Sequence, residues 1–145
     1  MTAFTIQDVS RRSGLSEPTL RYYEQVGLVG PIERDEKSGH RRYRTEDVHT
    51  LEALACLRAT GVGIEDMRTY QANLARRHET AAEQRDLLLR HADRIETEIA
   101  AQQARLAYLR EKASLWDARH RGDAAGEAEA MRRFLDAAGR LGVLQ

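Results

Sequence analysis

The apolar positions of this chain follow two regimes. Up to about residue 77 they come in short bursts broken by glycine and proline, whereas from there to Trp116 they recur every three or four residues with neither breaker present. The bursts predict short helices and a hairpin; the long repeat predicts one extended helix. Thr5 followed by Asp8 has the form of a capping box and starts a helix over 6–13 with Ile6 and Val9 facing inward, closed by Gly14. Ser16 suits the N-cap of a second helix, Pro18 falls in its first turn, and Gly27 ends it. Two short helices about a tight turn predict a helix-turn-helix.

Gly30-Pro31 then breaks the pattern. Residues 31–34 and 41–44 flank a polar loop, which predicts a β-hairpin with Gly39 at its turn. Thr45 reads as the cap of a third helix with Glu46 and Asp47 in its first turn and Val48, Leu51, Leu54 and Ala55 on its core face. Gly61 ends that helix and Gly63 opens another, with Glu65 and Asp66 at its start.

A heptad fits the long repeat. Ala92, Ile99, Leu106 and Ala113 fill one position, and Leu88, Ile95, Gln102, Leu109 and Trp116 fill the other. This is a coiled-coil seam. From Thr80 to Trp116 it extends about 55 Å, and a second copy of the chain is its simplest partner. A break is expected at Arg119–Gly126, after which Met131, Phe134, Leu135, Ala138 and Leu141 recur at helical spacing, so a short amphipathic helix should fold back. The expected class is mainly α: a winged helix-turn-helix over 1–77, a dimerising coiled-coil helix over 78–116, and a tail over 117–145 carrying the last helix.

Composition narrows the chemistry. Charged residues make up 32% and aromatics 6%, which favours helices with solvated faces over a large enzyme core. Net charge is zero, yet between Arg34 and Arg44 Arg34, Lys37, Arg41, Arg42 and Arg44 stand against Asp35 and Glu36, a local excess sufficient for phosphate contacts. The single cysteine, Cys56, allows no disulfide within the chain and no cysteine cluster, and the five histidines show no ligand spacing, so neither metal nor cofactor is expected. No leader and no long apolar run is seen, so a cytoplasmic protein without membrane contact is expected. No nucleophile elbow, phosphate loop or acid–base pair argues for an enzyme.

On the second helix, Leu20, Tyr23 and Gly27 share the inward side, which turns Arg21, Tyr22 and Gln25 outward, where they suit base edges or phosphate oxygens. The ordered motifs Thr19-Leu20-Arg21-Tyr22-Tyr23-Glu24, Gly27-Leu28, Gly39-His40-Arg41-Arg42-Tyr43 and Arg58-Ala59-Thr60-Gly61-Val62-Gly63-Ile64 resemble the MerR family of bacterial regulators over residues 4–76. The resemblance implies a homodimer on double-stranded promoter DNA, sharing the promoter with RNA polymerase holoenzyme and altering transcription by distorting the spacer. It implies DNA contacts by Ser16, Thr19, Arg21 and Tyr22 on the second helix, by Arg41 and Tyr43 on the wing, and by Arg58. His40 stands where the family often has an aromatic, and Gly63 where it often has serine or threonine.

Metal-sensing and iron–sulfur relatives place cysteines near the end of the long helix, where this chain has none, and residues 117–145 are too few for a drug-binding domain. Ala55-Cys56-Leu57-Arg58 resembles the lone-cysteine site of the aldehyde- and electrophile-responsive branch, which makes Cys56 a candidate redox or electrophile sensor. On its residues alone, a lone cysteine reads first as a small buried hydrophobe. The alternative overall is a coiled-coil adaptor with no effector response.

Overall fold

The structure is a computed structural model and describes residues 3–143. Its elements are α1 (Ile6–Ser13), α2 (Glu17–Gln25), β1 (Glu33–Arg34), β2 (Arg41–Arg42), α3 (Thr45–Ala59), α4 (Ile64–Leu74), α5 (Ala81–Arg121) and α6 (Ala124–Gly139). They form two compact units, one through His91 and one from Ala92 onward.

In the first unit the capping box forms as expected. The Thr5 hydroxyl accepts the Asp8 N–H at 3.1 Å, and the Asp8 carboxylate accepts the Thr5 N–H at 3.0 Å. That backbone donor is the main reason the Asp8 carboxyl titrates below its ordinary value. Gly14 ends α1 at φ +77°, a left-handed conformation that a side chain would strain, and its N–H returns to the Ser10 carbonyl at 2.9 Å. Ser16 then caps α2 by accepting the Thr19 N–H at 3.2 Å. The two helices bury Val9, Leu20 and Tyr23 against Val48, Leu51 and Leu54 of α3. Each such side chain contributes about 1.5–3 kcal/mol.

The hairpin is antiparallel, Glu33 opposite Arg42 and Arg34 opposite Arg41. Its strands are shorter than the expected 31–34 and 41–44, because Tyr43 leaves β1 and bridges instead to Phe4, each N–H reaching the other's carbonyl at 2.8 Å. The wing is thereby stitched to the start of the described chain. At its tip the Asp35 carboxylate accepts the N–H groups of Lys37 and Ser38 at 2.9 and 3.0 Å, and Gly39 makes the turn at φ +75°.

Thr45 is not the cap of α3. Arg44 holds that position with extended backbone, and Asp47 reaches back to accept its N–H at 2.9 Å. A cap at Thr45 would have put apolar Val48 three residues on, where nothing could reciprocate. After α4, the first turns of α5 dock on it through polar ties. The Thr80 hydroxyl donates to the Asn73 carbonyl at 2.7 Å, Gln84 donates to the Tyr70 carbonyl at 2.9 Å, and His91 Nε2 meets an Asp66 carboxylate oxygen at 2.7 Å.

The second unit pairs the remainder of α5 with α6. Tyr108 and Phe134 lie 5.2 Å apart between ring centres, Arg133 pairs with Glu111 at 2.7 Å, and Arg119 pairs with Glu127 at 2.7 Å. Leu115, Ala118, Ala130, Ala137 and Ala138 are buried; alanines at these positions let two helices approach closely. The last helix thus folds back as expected, but Leu135 stays exposed because Phe134 and the alanines set the packed face. The expected break is also shorter. α5 runs on to Arg121 and only Gly122 and Asp123 lie between the helices, while Gly126 belongs to α6, its N–H accepted by the capping Asp123 at 2.9 Å. A Cβ at Gly126 would collide with that same carboxylate. Among the described residues, no helix is long and apolar enough to cross a membrane.

Candidate nucleic-acid interface

Three elements of the first unit converge on one groove of about 460 Å³, lined by Thr5 and Gln7 at the start of α1, Glu17 and Arg21 of α2, and Arg34, His40 and Arg41 of the wing. Its rim is basic. Arg21 reaches Glu17 only loosely, at 3.9 Å, and Arg34 donates to the Gly39 carbonyl at 3.1 Å. Arg42 and Lys37 are exposed on the same hairpin.

On the far side of α2, Tyr22 is 46% exposed and borders a depression of about 240 Å³ with Thr19, Arg58, Gly63 and Ile64. Here the fold brings together residues distant in sequence. The Ser16 hydroxyl donates to Thr19 Oγ1 at 2.8 Å, and Arg58 from α3 approaches the same oxygen at 3.5 Å. Beneath them the Tyr23 phenol titrates above its ordinary value because burial disfavours the phenolate, with the Arg58 guanidinium opposing. Gly63 caps α4 without a side-chain hydrogen bond, so backbone N–H groups open the helix beside Arg58.

Two of the wing residues sit differently from expectation. Tyr43 is fully buried, with its ring in the core and its hydroxyl lacking a hydrogen-bond partner among the described residues, so it offers no surface for a contact. Burial is also what raises its titration. Arg41 lines the groove, but its Nε is tied to a Glu24 carboxylate oxygen at 2.7 Å, and both side chains are only about one-fifth exposed. In the sequence Glu24 stands only as the last residue of the α2 motif, with nothing to mark its partners. Burial raises its pKa, but the Arg41 guanidinium and the Ile32 N–H outweigh that and hold it below the ordinary value.

Cys56 is exposed, which corrects its reading as a buried hydrophobe. The core positions of α3 are Val48, Leu51 and Leu54, and a residue two places after Leu54 lies on the opposite side of the helix. In the second unit, Ile95, Ile99, Gln102 and Leu106 line an apolar trough. Ile99 is 50% exposed and Leu109 64%, and Trp116 is also exposed, stacking its ring under Arg119 at 4.7 Å. Ala92 and Ala113 are exposed along the same helix, and in the first unit so is Leu88.

Residues 4–74 match the family model described as MerR HTH family regulatory protein. Heavy metal-dependent transcription regulator 2 of Rhizobium meliloti (strain 1021) is 35% identical over 66% of this chain and 65% of its own length. HTH-type transcriptional regulator AdhR of Bacillus subtilis (strain 168) is 34% identical over 62% of this chain and 64% of its own length. The matches therefore span just under two thirds of both relatives. HTH-type transcriptional regulator HmrR of Sinorhizobium medicae (strain WSM419) is 34% identical over 75% of this chain and 74% of its own length. The crystal structure of HiNmlR, a MerR family regulator lacking the sensor domain, bound to promoter DNA, superposes with a TM-score of 0.65 at 26% identity, covering 86% of this chain and 96% of that one. With a winged helix-turn-helix followed by a long helix, and with these relatives, the chain belongs to the MerR family of helix-turn-helix regulatory proteins.

Proposed function

We propose that the chain binds promoter DNA as a homodimer and alters transcription by distorting the spacer between the promoter elements, with RNA polymerase holoenzyme on the same DNA. The observation that carries this reading is the basic groove shared by α2 and the wing, on a fold whose structural relative HiNmlR was crystallised on promoter DNA. In this reading α2 enters the major groove and Arg21 reads base edges from its outward face. Ser16, Thr19, Tyr22 and Arg58, together with the N-terminus of α4, grip a phosphate, since an uncapped helix start favours negative charge. Arg34, Lys37 and Arg42 hold the flanking backbone. The apolar trough on α5 supports pairing with a second copy, which sets two reading helices on one site.

Binding of a duplex selected by the protein from a random-sequence pool tests the division of labour. Arg21→Ala should weaken the selected duplex by about 1–3 kcal/mol with little change on scrambled DNA. Arg42→Ala should weaken both alike and reduce the salt slope by about 1. If Arg21→Ala binds the selected duplex as the wild type does, α2 is not the reading helix.

We further propose that Cys56 senses electrophiles or thiol oxidation. Its exposure on α3, the helix that follows the wing, supports access to a modifying agent. A modification shifts the response only if it favours one DNA-bound state over the other. Cys56→Ser should therefore keep its affinity for the selected duplex yet lose the transcriptional response to aldehydes. A thiol that resists alkylation in the folded protein, or a serine variant that still responds, overturns the sensor.

A further inference from the structure

We propose that Glu24 is the positioning residue of the wing, a single carboxylate that locks the hairpin to the reading helix and aims Arg41 at the groove. This rests on the DNA-binding reading above and goes beyond it in saying what fixes the geometry.

Glu24 lies in the last turn of α2. One of its oxygens accepts the backbone N–H of Ile32, immediately before β1, at 3.0 Å. The other accepts Arg41 Nε, at the first residue of β2, at 2.7 Å. One side chain therefore holds both arms of the hairpin to the helix that carries Arg21. Charge-assisted bonds of this kind are stronger than neutral ones, and here both partners are largely shielded from water. With its Nε held by Glu24, Arg41 lines the groove beside Arg21 and Arg34. The wing's own ladder is two residues per strand, which is too short to fix its angle unaided. The hairpin is also anchored by the Tyr43–Phe4 bridge and by Ile32 and the Tyr43 ring in the core, but among the described residues Glu24 is what ties Ile32 and Arg41 together by hydrogen bonds to α2.

Charge and positioning pull in opposite directions at Glu24. Glu24 is an anion beside a DNA-facing groove, so on charge alone Glu24→Gln should strengthen binding to every duplex. Positioning requires the opposite for the selected sequence, because a loosened wing no longer meets the backbone at the register that Arg21 demands. We expect Glu24→Gln to bind the selected duplex about tenfold more weakly, to bind scrambled DNA as well as the wild type or better, and so to lose about tenfold in specificity ratio. A variant that was merely less folded would lose both affinities together.

Hydrogen exchange on the DNA-free protein tests the tie itself. In Glu24→Ala the Ile32 amide should exchange at least tenfold faster, with the amides of Leu51 and Leu54 in α3 unaltered. Unaltered exchange at Ile32 overturns the tie, and an unaltered specificity ratio in Glu24→Gln overturns its role in positioning. If the wild type selects no sequence at all, the DNA-binding reading fails and takes the positioning role with it, whereas the exchange result still decides whether the tie exists.

Discussion

Replacing Tyr43 with alanine should cost about 3–5 kcal/mol of stability, whereas replacing it with phenylalanine should leave the protein as stable as before or more so. The ring is among the largest fully buried side chains and belongs to the same core cluster as Leu20, Val48 and Leu51, so truncation leaves a cavity in a close-packed interior. The hydroxyl is different. It is buried without a hydrogen-bond partner among the described residues, and removing an unsatisfied group of this sort recovers a desolvation cost of about 1–3 kcal/mol. A wing residue touching DNA through its hydroxyl would behave in reverse, with phenylalanine losing affinity at unchanged stability. Chemical denaturation read beside a DNA titration separates the two. Weaker binding by a fully folded Tyr43→Phe would return Tyr43 to the interface.

The burial of Tyr43 marks the limit of what is legible in the sequence. The bounds of α1 and the start of α2 follow from caps and a glycine, because those signals are local: Thr5, Gly14 and Ser16 act within three or four residues of themselves, whereas the cap expected at Thr45 falls to Arg44. The apolar faces of α2 and α3 followed from helical spacing for the same reason. In the wing, however, the basic cluster is not one surface, because a strand alternates its faces. Arg41 and Tyr43 share the inward side, and Arg42 and Arg44 the outward. That period is present in the sequence and accounts for the burial of Tyr43 and the exposure of Arg42 and Arg44. Glu24 is another matter. Its partners lie 8 and 17 residues away, and only the folded path of the hairpin brings Ile32 and Arg41 to one carboxylate. Cys56 lies between these cases, since the positions of Val48, Leu51 and Leu54 already turn it outward, but its neighbours across the fold could not be inferred. In the second unit the heptad revealed the α5 stripe, whereas the packed face of α6 depended on alanines whose low hydrophobicity gave Leu135 undue weight.

A protein carrying both Ile99→Asp and Leu106→Asp should sediment as a monomer and lose its hold on a two-half-site duplex by about two to four orders of magnitude. The seam positions Ile95, Ile99, Gln102 and Leu106 line one trough on α5, while α6 packs on that helix through Tyr108, Glu111, Leu115 and Ala118. The two faces are separate, so aspartates at 99 and 106 leave the hairpin of α5 and α6 its own contacts. Between two copies, however, they would bury four like charges in an apolar interface, each without a counter-ion, which a coiled coil of this length cannot offset. A monomer presents one reading helix, and the gain from linking two half-site contacts, about 10²–10⁴, disappears with the second. Leu135→Asp provides the control. It places the same charge on another exposed leucine of the second unit, outside the heptad, and should remain dimeric with full affinity. Circular dichroism should show the same helix content in all three proteins. A double variant that still sediments as a dimer would mean that two copies meet elsewhere than on this stripe, and a Leu135 variant that falls apart would move the interface to α6.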